Sequence, residues 1–278
     1  RLRIDSVILT HRETEPVRLD QIRRNLQEEP TITHVAMVHC ETTTGMLNPA
    51  AEVGRLAEEF GKSYILDAMS SFGGIPTCVE DLGVHYLISS ANKCIQGVPG
   101  FGFVVAHRSS LEQTEGWARS LSLDLFDQWK TMECGEGDWR FTSPTHVILA
   151  FEQALQELSA EGGVAGRHAR YVDNHSRLVA GMGRIGFHSL LPGERQAPII
   201  TSFLNPQDSR FEFEAFFDKL KARRFMIYPG KVTDAETFRI GNIGHVFPED
   251  IDELIRNVSE VVDEMGIELT PVQTEPGS

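Results

Sequence analysis

Apolar residues recur along the first hundred positions in two alternating rhythms, one helical and one strand-like. Leu19, Ile22 and Leu26 predict a helix from Asp20 to about Pro30, and His-Val-Ala-Met-Val-His over 34–39 predicts a buried strand. The cycle repeats: Val53, Leu56, Ala57 and Phe60 place a helix over 50–61, ending at a glycine, followed by a strand over 63–67. Further strands are expected over 85–90 and 100–106. Strands alternating with helices imply an α/β domain with a mostly parallel sheet.

Beyond Thr142-Ser143-Pro144 the texture changes. A proline just inside a helix start opens a long apolar-faced segment, Val147 to about Leu158, read as the bridge between domains. The rest reads as helix 172–182, strand 198–204, helix 211–223, strands 226–228 and 237–240, and a last helix from Pro248 to about Met265. The expected organisation is a partial large domain over 1–145, a linking helix region over 146–170, a small α+β domain over 171–270, and a tail over 271–278.

At 278 residues and 41% hydrophobic, the chain can bury a sizeable core. Forty acidic against 26 basic residues leave a formal charge of -14, which argues against nucleic acid or an anionic membrane as partner. Cys40, Cys78, Cys94 and Cys134 have neither zinc-ligand spacing nor the density of a disulfide scaffold, so no metal is expected and a reducing cytoplasm fits best. No stretch has the length and apolarity of a membrane span, and the first residues do not read as a signal peptide.

Candidate chemistry gathers at three strand ends: His39-Cys-Glu-Thr-Thr-Thr-Gly45, Asp67-Ala-Met-Ser-Ser71 and Ser89-Ser-Ala-Asn-Lys93. In open α/β sheets, ligands bind beyond the carboxyl ends of the strands. Alone, Asp67 reads as a turn cap and Lys93 as a solvated lysine. Together at consecutive strand ends they suit pyridoxal phosphate, the lysine bonding to the cofactor and the aspartate keeping its ring nitrogen protonated. Gly97-Val-Pro-Gly-Phe-Gly102 is no nucleotide P-loop, because no Gly-Lys-Ser/Thr follows and it leads into a strand. Its glycines are expected to let the chain turn sharply beside Lys93.

Three segments carry a specific resemblance: the His39–Gly45 run, Leu66-Asp-Ala-Met-Ser-Ser-Phe-Gly-Gly74, and Ser90-Ala-Asn-Lys-Cys-Ile-Gln-Gly-Val-Pro-Gly-Phe-Gly-Phe103. They resemble the 2-aminoethylphosphonate:pyruvate aminotransferase branch of the class V aminotransferases, which have the fold type I architecture of a large, mostly parallel α/β domain plus a small C-terminal α+β domain. The similarity runs from about Ile4 to about Leu269. It implies Lys93 as the cofactor lysine and proton carrier, Asp67 as the pyridinium partner, and Thr42 as a hydrogen-bond partner of the cofactor's phenolic oxygen. Thr142 matches a position that reaches the cofactor phosphate of a partner subunit, which implies a homodimer; alternatively Thr142 and Ser143 cap the helix after them. Arg239 matches the arginine that holds the substrate's acid group.

His39, Glu41 and Asn92 are weaker candidates. His39 reads as a packed strand-end residue, and Asn92 stands where the related cysteine desulfurases have histidine. The resemblance implies transfer of the amino group of 2-aminoethylphosphonate to pyruvate. Another class V transaminase of the alanine/serine:glyoxylate type, or a non-catalytic remnant, stays open. The resemblance implies a glycine- and serine-containing phosphate turn before His39, and none is present, so the chain is expected to be N-terminally truncated, with residue 1 inside the large domain and one apolar face of the sheet left uncovered.

Overall fold

The computed structural model describes residues 3–271, so the tail expected over 271–278 lies, beyond Pro271, outside the described residues. A stretch without helix or strand, turning at 13–15, leads into α1 (Leu19–Glu28), whose apolar stripe buries Ile22 and Leu26. Strand β1 (His34–Val38) runs into a small hairpin, β2 (Cys40–Glu41) and β3 (Met46–Leu47). Helix α2 (Ala50–Glu59) then leads to β4 (Ser63–Asp67), β5 (Tyr86–Ser90) and β6 (Gly102–Ala106).

The main sheet has the order β1-β4-β5-β6. The first three strands are parallel, with Val38 beside Asp67 and Asp67 beside Ile88. Strand β6 is antiparallel to β5, because a short loop rather than a crossover joins them. One face is the core: Tyr64, Leu66 and Leu87 are fully buried under α1 and α2 with Val53 and Leu56. The opposite face, with Ile65, Tyr86, Ile88 and Val104, is only half-buried and borders a cavity of about 1620 Å³. The uncovered apolar face expected from the sequence is thus present among the described residues.

Helices α3 (Arg108–Glu112) and α4 (Leu125–Cys134) follow, the latter capped by Asp124, whose Oδ1 accepts from the Asp127 N–H at 3.1 Å. Helix α5 (Thr145–Ala160) starts one residue after Pro144, which occupies the cap position rather than the first turn, and no side chain caps it. The expected capping by Thr142 or Ser143 is therefore absent. Helix α6 spans Gly163–Ile185, far beyond the expected 172–182.

A second sheet, β7 (Ile200–Leu204), β9 (Thr237–Gly241) and β8 (Tyr228–Pro229) in that order, is antiparallel. The strand expected over 226–228 is displaced to β8. With α6, α7 (Phe213–Ala222) and α8 (Pro248–Met265) this sheet encloses a second core of Phe187, Phe203, Phe216, Phe238, Leu254 and Val258.

Candidate active site

Backbone and side-chain bonds join the turns after β4 and β5 into one surface. Asp67 ends β4 half-buried, and its Oδ1 accepts from the Met69 N–H at 2.9 Å. Ala68 N donates to Ile88 O at 2.9 Å, Ser89 Oγ to Ala68 O at 3.3 Å, and Cys94 Sγ to Ser70 O at 3.1 Å. Lys93 is therefore carried on a turn tied to the Asp67 turn through the residue that follows it. Its ammonium is exposed and has no hydrogen bond or ion pair among the described residues.

The β2–β3 hairpin adds a third wall. His39 N donates to Asp67 O at 2.8 Å, and His39 Nδ1 lies 2.9 Å from Ser71 Oγ. Burial pushes the His39 imidazole down to about 4, so it stays neutral and packed, as the sequence suggested. Burial, with the nearby Asp67 charge, raises the Glu41 carboxyl above its ordinary value. Thr42 stands exposed at the hairpin tip, its hydroxyl without a partner among the described residues. At Gly45, φ is +85° and an added Cβ would lie 2.5 Å from Ile200 O, so the tip turns back tightly against β7.

Arg239 reaches this hairpin from β9. It is 7% exposed, and its Nη1 donates to Thr42 O at 2.7 Å and its Nε to Pro229 O at 3.2 Å. It has no carboxylate partner among the described residues, and Tyr228 lies against it, ring centroid 5.9 Å from the guanidinium carbon. Burial lowers its pKa from the ordinary value. A desolvated guanidinium with donors to spare suits an anion.

The structure thus brings together Asp67, Lys93, Thr42 and Arg239. Thr142 is exposed just before α5 and makes no side-chain bond among the described residues. Asn92 is half-buried beside Lys93. The cavity along the open sheet face reaches Glu41 and Thr43, but neither Asp67 nor Lys93 lines it. No cluster of metal-ligating side chains occurs among the described residues.

The donor set fits pyridoxal phosphate: among the described residues, an unpaired primary amine, a carboxylate with one oxygen free of protein donors, and an unbonded hydroxyl at the hairpin tip. Sequence reasoning missed Gln96, whose Nε2 donates to Tyr171 OH at 2.7 Å and Gly244 O at 2.8 Å, and the arginines of α6. Gln96 carries a backbone signal, φ +66°, that no residue pattern announces.

Comparison with known proteins gives the family and the fold. Residues 3–220 match the family model "Aminotransferase class-V". Two curated relatives are both named 2-aminoethylphosphonate--pyruvate transaminase: one from Syntrophobacter fumaroxidans, 60% identical over 89% of this chain and 67% of its own length, the other from Vibrio cholerae serotype O1, 57% identical over 94% of this chain and 71% of its own. The chain thus spans about two thirds of the length of such relatives. In fold it is similar to the pyridoxamine-pyruvate aminotransferase of Mesorhizobium loti, with TM-score 0.83, 21% identity, and coverage of 92% of this chain and 66% of that one.

Proposed function

This chain belongs to the class-V aminotransferase family, and we propose that it moves the amino group of 2-aminoethylphosphonate to pyruvate, giving phosphonoacetaldehyde and alanine. Pyridoxal phosphate, when bound, supplies an electron-accepting ring conjugated to the migrating nitrogen. Asp67, with one carboxylate oxygen bonded to the Met69 N–H, would hold the proton on the ring nitrogen through the other, and the Thr42 hydroxyl would donate to the phenolic oxygen. Lys93 would hold the cofactor through Nζ and, when free, would take and return a proton at that atom.

Arg239 receives the carboxylate of pyruvate or alanine and orients it by a planar fork, while its bond to Thr42 O keeps that fork at the hairpin. The observation that carries the reading is that junction: a buried arginine, without a carboxylate partner among the described residues, bonded from one sheet to the strand-end hairpin of the other. The reading extends to a homodimer in which exposed Thr142 serves the partner's phosphate site, to a large domain over 1–145 and a small one over 171–270, and to a cytoplasmic location, to which the four free cysteines lend support.

Alanine formation from pyruvate and 2-aminoethylphosphonate tests it. The chain is expected to form alanine with that donor, and Lys93→Ala to form none. Turnover in Lys93→Ala would remove Lys93 from its role, and turnover only with other amino donors would replace the substrate.

A further inference from the structure

The strand-end site is gripped from behind by a partly buried ion cluster that the proposed chemistry does not use. Glu161 closes α5, and the chain turns through Gly162 and Gly163 into α6. From α6, Arg167 Nε donates to Glu161 Oε2 at 2.6 Å and Arg170 Nε to Glu161 Oε1 at 2.7 Å. The far ends of the two arginines hold main-chain carbonyls. Arg167 Nη1 donates to Cys94 O at 2.6 Å, and Arg170 Nη1 to Gly244 O at 2.9 Å and Val246 O at 2.6 Å. One carboxylate therefore orients one fork onto the peptide beside Lys93 and another onto the run that follows Arg239.

Arg167 is only 2% exposed, and a guanidinium taken out of water is costly unless its donors are met. Lys93, by contrast, has no side-chain partner among the described residues, so its place is set by its neighbours. Cys94 is fixed twice, by its thiol to Ser70 O and by its carbonyl to Arg167. Burial alone would raise the Glu161 carboxyl, but the hydrogen bonds from Arg170 and Arg167 outweigh it and hold the group below its ordinary value, so it is ionised at neutral pH.

We propose that Arg167, oriented by Glu161, is a positioning residue for Lys93: its grip on the Cys94 carbonyl aims the lysine amine at the cofactor aldehyde. This rests on the reading of Lys93 as the cofactor lysine. Small displacements of a reacting group are amplified in rate, so releasing the grip should slow bond formation by about tenfold or more.

The test measures covalent capture of pyridoxal phosphate without turnover. The amine adds to the aldehyde, water leaves, borohydride reduces the resulting carbon–nitrogen double bond, and peptide mass gives the rate at Lys93 against that at the five other lysines. Arg167→Lys keeps a charge beside Glu161 but lacks the second arm. It is expected to melt near wild type, to slow capture at Lys93 selectively, and to speed amide hydrogen exchange over 90–97 in the cofactor-free chain. Glu161→Gln, which frees both forks, should do the same and serves if Arg167→Lys does not fold. Wild-type capture and exchange in either folded variant overturns the positioning role. Wild-type capture at a lysine other than Lys93 overturns the reading beneath it, and the inference with it.

Discussion

Arg239 and His39 show how much of this site is decided by single buried polar groups. Arg239 spends two donors on main-chain carbonyls and keeps the remainder of its fork for a ligand. Arg239→Lys keeps charge but loses the fork, and hydrogen bonds to charged groups contribute about 1.5–3 kcal/mol, so kcat/KM for pyruvate should fall roughly tenfold to a hundredfold. Steady-state kinetics with varied pyruvate checks this. His39 works on stability instead. Its folded pKa, about 4, lies below the 6.5 of an unburied imidazole, so between those values the unfolded chain binds a proton that the folded chain refuses. The stabilisation is fully present above pH 6.5 and is lost as pH falls through about 4, a loss on the order of 3 kcal/mol. His39→Gln should flatten that slope in urea unfolding curves taken from pH 7 to pH 4.

At the scale of elements, neighbouring positions on β5 carry opposite consequences. Leu87 is fully buried under α2, whereas Ile88 faces the open cavity. Leu87→Ala should cost about 2–5 kcal/mol and Ile88→Ala less than half as much, measured by denaturant midpoints at constant slope. The elements themselves were legible where period and punctuation agreed. Strand β4 was read with its true limits because a glycine stops α2 before it and a polar turn follows it. The start of α6 was not, because Gly162, Gly163 and Gly166 resemble a loop. Helices α3 and α4 were also missed; one residue in five of α3 and half of those in α4 are apolar, and their stripes are short. Lys93, Asp67 and Thr42 could be found because they lie at strand ends in ordered motifs. The Glu161–Arg167–Arg170 cluster could not, since charges on a helix read as a solvated face until tertiary contacts bury them.

Across the whole molecule, the two cores are separate hydrophobic clusters, and each could in principle come apart by itself. The β2–β3 hairpin stands between them. Ser202 Oγ donates to Thr43 O at 3.0 Å, Ala197 N to Gly45 O at 2.7 Å, and Arg239 to Thr42 O, so the tip of one strand end is bonded at three places to the other sheet and the segment that leads into it. Opening either sheet would strand these buried donors and acceptors, a cost borne by both halves at once. Heat should therefore remove both cores in one cooperative transition, with calorimetric and van't Hoff enthalpies equal; two resolved peaks would show the hairpin to be a passive neighbour. Gly45→Ala, which forces the tip off Ile200, is the change most suited to splitting that single melt into two.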